Sequence, residues 1–240
     1  MQKEKHKGKI SLFFHRKDYF MIYVTGDTHG DLSRFGFWRT RKIKRGDTLI
    51  VLGDFGFLWQ GGEAEEKILR RLGKKRYHIL FLDGAHENYN LLERYPIGEW
   101  NGAKIRRISG NLCHLCRGQV IALEDKRLFV MGGGESDEKE FRAVQAKWFP
   151  QEMPTPEEIE SARHSLKQAD GKVDFVLSHI CSDRLKVFLG LAGESHPLGQ
   201  FFTELEKSLS FQKWFFASLH LDKPIPPKHQ CVYQQILPLL

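Results

Sequence analysis

Apolar residues recur along this chain in short, dense blocks separated by Gly, Asp and charged helical stretches, a rhythm of strand, loop and helix. Met21 to Thr25, Thr48 to Leu52 and Tyr77 to Leu82 are blocks rich in β-branched or aromatic residues, each closed by Gly or Asp, and predict buried strands. Between the second and third, Glu63 to Leu72 places Ile68, Leu69 and Leu72 on one side and most of its charges elsewhere, the amphipathic pattern of a helix covering a sheet. Asn88 to Arg94 predicts a shorter helix. Past Trp100 the strand candidates crowd together at Ile105 to Ser109, Gln119 to Leu123 and Arg127 to Met131, with Glu124-Asp125 as a hairpin turn, so antiparallel pairing is expected there. Gly132-Gly133-Gly134 opens a polar stretch expected to be a flexible connection, since no Lys-Ser/Thr follows to make a phosphate loop. Pro154 and Pro156 set up a helix reaching about Ala169, Val173 to Ser178 returns to the strand pattern, Leu198 to Leu209 predicts a helix and Trp214 to Ala217 a last short strand.

The longest apolar runs, such as Ile79 to Leu82, fall far short of the ~18 residues that a spanning helix needs, so no membrane association is expected. At 240 residues, 41% hydrophobic and 28% charged, the chain can bury a core. It shows no repeat and no internal linker. The net charge of +7 is uneven: residues 1–20 hold six Lys and Arg against two acids. They read as a basic N-terminal extension on a single domain of residues 21–240, an arm able to add phosphate contacts to a nucleic acid. The extension lacks the apolar length and cleavage site of a signal peptide, and four cysteines make a disulfide scaffold improbable on composition, so a reducing cytoplasm is the expected compartment. Cys113 and Cys116, with His114 between them, form an isolated CxxC. A structural zinc site wants a second pair, and Cys181 and Cys231 stand alone, so a strand or turn with half-buried thiols is the expectation.

The chemistry lies just past the strand ends. The first strand runs into Asp27-Thr28-His29-Gly30-Asp31, the second into Gly53-Asp54, the third into Gly84-Ala85-His86-Glu87, and the later ones into Ser178-His179 and Ser218-Leu219-His220. In a sheet with parallel strands the carboxyl ends share one edge, so these residues converge in a crevice. Mixed carboxylate and imidazole donors suit Mn, Fe, Zn or Ni better than Ca, and such ions activate water against phosphate esters.

The order of these motifs resembles the calcineurin-like metallophosphoesterases, whose pattern is DxH, GDxx, GNH followed by an acid, a strand-terminal His, then GHxH. The resemblance spans Met21 to about Tyr233. It implies an α/β (α+β) fold, a four-layer α/β/β/α sandwich of two mixed sheets with outer helices, and a metal pair at the sheet edge. Carried over by position, Asp27, His29 and His220 bind the first metal, Asp54 bridges, His179 binds the second, and His86 protonates the leaving oxygen, oriented by Asp31 or Asp27. Two positions depart: Ala85 replaces the Asn of GNH and Ser218 the first His of GHxH, with Ala217 for the preceding Gly. Both belong to the second metal, so one tight site is expected, Mn first among candidates, with the second weak or absent.

Three functions compete on this basis. One is a working metal-dependent phosphatase or phosphodiesterase with an altered second site, acting on a phosphorylated substrate. Another is a degenerate relative that binds one metal and a phosphorylated ligand. The third is a nucleic-acid binder using the basic arm. Phe55, Phe57, Trp59 and Asn88 either line a substrate surface or pack between the sheets, and Arg117 and the 132–136 loop are further candidates near the crevice.

Overall fold

The computed structural model describes residues 20–136, 138–145, 147–191 and 195–239, and the basic extension at residues 1–19 lies outside them. In chain order the described elements are β1 (Ile22–Thr25), α1 (Phe37–Thr40), β2 (Thr48–Leu52), α2 (Glu63–Gly73), β3 (His78–Leu82), α3 (Tyr89–Leu92), β4 (Ile97–Trp100), β5 (Ala103–Ser109), β6 (Leu112–Leu115) and β7 (Gln119–Leu123). The second half contributes β8 (Lys126–Met131), α4 (Lys139–Val144), α5 (Pro156–Gln168), β9 (Phe175–Ser178), α6 (Asp183–Phe188), α7 (Pro197–Ser208), β10 (Lys213–Phe216), β11 (Lys223–Ile225), β12 (His229–Cys231) and β13 (Leu237–Pro238).

These strands form two mixed sheets. One runs β13-β1-β2-β3-β6-β5-β4 and the other β11-β12-β10-β9-β8-β7. In the first sheet β1, β2, β3 and β6 are parallel, which puts the residues after β1, β2 and β3 on one edge. In the second sheet β8, β9 and β10 are parallel and bring the ends of β9 and β10 to theirs.

Three apolar clusters define four layers. Alternate residues of both sheets, including Val24, Ile50, Leu80, Leu128, Val130 and Leu177, fill the space between them. The opposite face of the first sheet, Leu49, Val51, Ile79 and Phe81, packs on Leu69 and Leu72 of α2. That of the second, Phe129, Val176 and Trp214, packs on α5 and α7 through Ala162, Leu166, Phe201 and Phe202. Central strands such as β2, buried at every position, read as unbroken apolar blocks for this reason. No described helix is long and apolar enough to cross a membrane.

Local chemistry explains the element ends. Helix α2 opens on Glu63, Glu65 and Glu66 and closes on Arg70 and Arg71, matching the helix dipole at both termini. Helix α5 starts with a capping box of Thr155 and Glu158 around Pro156. The β7–β8 hairpin turns on Glu124 and Asp125, at φ 48° and 61°, as a two-residue turn requires.

The CxxC stretch lies on and just past strand β6, as expected, with Cys113 buried in the inter-sheet core, Cys116 half-buried, His114 bonded to Asp83 (2.9 Å) and all four cysteines free thiols. The structure corrects two other expectations. The triple glycine is no loose connection: Gly133 N–H donates to the Asp83 carbonyl and Gly134 N–H to that of Glu152, both at 2.9 Å, and a Cβ on Gly132 would stand 2.5 Å from Asp83 Oδ1. The helix expected over Asn88 to Arg94 shortens to the single turn α3.

Candidate metal centre

The chain must turn sharply at each strand end to present a side chain into the crevice, and the backbone shows the cost. His29, Asp54, Ser218 and His220 all adopt left-handed conformations, with φ of 44°, 43°, 55° and 51°. Such non-glycine residues cost on the order of 1–3 kcal/mol each and persist where surrounding structure over-determines them. Neighbouring glycines make the close approach possible. A Cβ on Gly84 would fall 2.2 Å from Asp54 Oδ1, and one on Gly53 2.2 Å from the His179 ring.

Carboxylates form the floor of the site and imidazoles its rim. The side chains of Asp27 and Asp54 are 0% and 4% exposed, whereas those of His29, His86 and His220 are 38%, 38% and 50% exposed. Asp27 Oδ2 lies 3.2 Å from His220 Nε2, and Asp27 Oδ1 lies 3.3 Å from His179 Nδ1. Asp54 Oδ1 lies 3.5 Å from His179 Nε2, and His29 Nε2 and His220 Nε2 are 3.0 Å apart. Two donor groups result: Asp27, His29 and His220, and Asp27, Asp54 and His179. Asp27 is the carboxylate common to both groups here, while Asp54 Oδ2 stands 3.9 Å from His29.

Electrostatics identify what this arrangement lacks. Burial works against ionised Asp27 and Asp54, yet the histidines around them hold both carboxyls below the usual range. Burial likewise opposes charging His179, but Asp54 and Asp27 outweigh it and lift its pKa to about 10. His220 is raised through its contact with Asp27, whereas burial lowers His29. Both oxygens of Asp27 are buried without a hydrogen bond of sound geometry. Buried anions surrounded by ring nitrogens are matched by a cation, and the donor set fits a divalent transition metal. The His179 Nδ1 contact with the Leu52 carbonyl (3.0 Å) adds the orienting bond typical of ligating histidines, leaving Nε2 toward Asp54.

His86 is tied to the second strand's carboxylate. Its Nδ1 is 2.7 Å from Asp54 Oδ2 and its backbone N–H donates to Asp54 Oδ1 at 2.7 Å. Asp31, expected to orient His86, does something else: it is exposed, caps the short 3-10 turn Leu32–Phe35, and accepts from Ser33 N and Oγ, both at 2.9 Å. A carboxylate two residues past His29 reaches its own turn before it reaches the third strand's loop, so Asp54 takes the orienting position.

At the altered positions, Ala85 is buried and its carbonyl accepts from Arg142 (2.7 Å), which is ion-paired with Glu152 at 2.8 Å. Ser218 keeps the strained turn but offers a hydroxyl in place of a ring. Phe55 and Phe57 are buried against Phe35 and Phe81 beneath the helices, so they pack on the outer face of the first sheet instead of lining the crevice. Asn88 caps α3 and donates to the Trp59 carbonyl (2.8 Å), which commits its side chain to structure. Arg117 is likewise committed, to Asp83, Glu158 and Tyr89.

Of three supporting residues, Arg34 and Tyr233 had no signal strong enough to be singled out from sequence, whereas Glu87 stands at the acid position that follows the third-strand histidine. Buried Arg34 donates to the carbonyls of Asp27 (3.0 Å), Gly26 (3.1 Å) and Tyr233, locking the first metal loop to the C-terminal segment. Glu87 is buried and accepts from Phe55 N (2.8 Å), fixing the turn that carries Asp54, and burial pushes its carboxyl pKa well up. Tyr233 stacks on His220 at 4.7 Å.

Two face-packed mixed sheets with outer helices and an Asp/His cluster at their edge define the metallophosphoesterase class. The family model described as calcineurin-like phosphoesterase matches residues 20–217, and the chain belongs to that family, which binds divalent metals and hydrolyses phosphoesters. Among solved structures, the phosphopantetheinyl hydrolase (PptH) from Mycobacterium tuberculosis is similar at 12% identity over 89% of each chain, with a TM-score of 0.44. No curated protein sequence matches.

Proposed function

We propose that this protein hydrolyses a phosphate ester at an asymmetric metal centre, with one tightly held ion and a second position that lacks two donors. The observation that carries this reading is the convergence of the buried carboxylates of Asp27 and Asp54 with the rings of His29, His179 and His220. The first position would use Asp27, His29 and His220 with Asp54 alongside, and the second would keep Asp54 and His179 with Asp27 within reach. Held by these residues, a divalent ion would supply water of lowered pKa, from about 15.7 to about 7, and polarisation of a phosphoryl oxygen. Manganese is the expected ion, because it accepts mixed carboxylate and imidazole donors.

The chain's own residues supply the rest. Asp54 holds His86 by Nδ1, which leaves Nε2 as the ring nitrogen able to pass a proton to the leaving oxygen. The rim of half-exposed histidines is the side from which a phosphorylated substrate enters. Free thiols at all four cysteines fit a reducing compartment such as the cytoplasm.

The test is hydrolysis of an aryl phosphomonoester and an aryl phosphodiester by metal-stripped protein titrated with Mn. Activity should appear near one equivalent, and His86→Ala should lower it by about 10²–10⁴-fold. Bound Mn with no turnover above the His86→Ala protein would overturn the reading. It would leave the alternative that Ala85 and Ser218 favour, a phosphate-binding relative with one metal. On that alternative Ala85→Asn combined with Ser218→His raises turnover strongly.

A further inference from the structure

Eleven of the 37 Lys and Arg residues fall in two ten-residue stretches, 37–46 and 67–76, that contain no Asp or Glu. The other 220 residues, the basic residues 1–20 included, hold 26 Lys and Arg against 30 acids, so outside that extension the chain's excess positive charge resides in these two stretches. The fold brings them together. A concavity of about 460 Å³ between α1 and the end of α2 is lined by Arg41, Arg71, Lys74, Lys75 and Arg76, with Phe37 at its side and no carboxylate in its wall. Lys75 Nζ is fixed on the Phe35 carbonyl (2.7 Å) and Arg76 on that of Ile43 (2.8 Å). Arg41, Arg71 and Lys74 are exposed, with no ion pair among the described residues.

Like charges gathered without counter-ions repel one another, and burial together with Arg71 already lowers the Lys75 pKa. Tyr77, 2% exposed, also lines the concavity. Beside the cations stand Phe37 and Trp38, 69% and 77% exposed and in edge contact at 5.4 Å. Adjacent exposed aromatic rings next to a basic groove are the elements of a stacking platform for unpaired bases.

We infer that this groove binds single-stranded nucleic acid, its guanidinium and ammonium groups holding backbone phosphates while a base stacks on Trp38 or Phe37. The concave, cation-lined wall favours a narrow polyanion over a flat bilayer surface. The surface differs from the metal centre and from residues 1–19, and the inference does not depend on turnover.

The test is anisotropy of a fluorescein-labelled mixed-sequence oligonucleotide with the full-length chain in EDTA, so that hydrolysis cannot interfere. Three to five phosphate contacts predict that affinity falls about 10–100-fold between 50 and 200 mM salt. Arg41→Glu/Arg71→Glu/Lys74→Glu should weaken binding at least tenfold and flatten the salt slope. Trp38→Ala should weaken it at least fivefold and leave the slope in place. Parental affinity in both variants would overturn the inference and assign any binding to another surface, residues 1–19 included. Binding of the parent to phosphatidylserine vesicles but not to the oligonucleotide would overturn it as well.

Discussion

At the scale of single residues the metal centre is a set of mutually dependent charges. In the metal-free protein His179, lifted to about 10, holds its proton more tightly folded than unfolded. Its contribution to stability is complete below the unfolded value of about 6.5 and is lost as pH rises toward 10. Asp27 and Asp54, held low, contribute above about pH 4 and lose that contribution as pH falls. The metal-free melting temperature should therefore decline on the alkaline side from about pH 6.5. Bound Mn should flatten that alkaline decline, because the ion takes the place of the His179 proton. Calorimetry with and without Mn tests this, and a metal-free midpoint constant from pH 6.5 to 10 would contradict it. Gly84 is tightly constrained beneath the site: Gly84→Ala should displace Asp54 and weaken Mn binding at least tenfold by titration calorimetry, since the added Cβ meets Asp54 backbone as well as side chain.

At the scale of elements, caps and turns set boundaries that the metal centre depends on only indirectly. Thr155→Ala removes half of the α5 capping box and should cost about 1 kcal/mol in urea unfolding with Mn-dependent activity intact. The β7–β8 turn places Glu124 and Asp125 where Asn and Gly are favoured, so Glu124→Asn with Asp125→Gly should stabilise by about 1 kcal/mol. Strand blocks closed by Gly or Asp were legible from periodicity: β2 and β7 match their expected ranges, and β1, β3, β8 and β9 differ only at their starts. Strand β4 was not legible, because its side chains are mostly exposed at a sheet edge and carry no alternation. For the CxxC stretch the sequence left strand or turn open, and pairing of β6 with β3 and β5 decides for the strand.

At the scale of the whole molecule, the two sheets meet through one apolar layer that also fixes the distance between the two halves of the site. Asp27 and Asp54 come from the first sheet, His179 and His220 from the second. Leu128, fully buried in that layer, should cost about 2–5 kcal/mol when changed to Ala. Arg117→Ala, which leaves Asp83 buried and short of its main partner, should cost about 3–5 kcal/mol by the same unfolding measurement, although it touches none of the metal-binding residues.

The order of strand-end motifs carried the resemblance to the family and, through that resemblance, the layered architecture; the alternation of strands and helices by itself predicted that the strand ends converge, because parallel strands must deliver their carboxyl ends to a shared edge. The departures at Ala85 and Ser218 were also visible there, since a missing donor needs no coordinates to be recognised. Only the tertiary structure decided that Asp54, not Asp31, orients His86, that Asp27 is common to both donor groups, and that Arg34 and Glu87 brace the loops. It also gathered two basic stretches separated by twenty residues into one groove. These outcomes depend on distances between segments that are remote along the chain, and no local pattern of residue types encodes such distances.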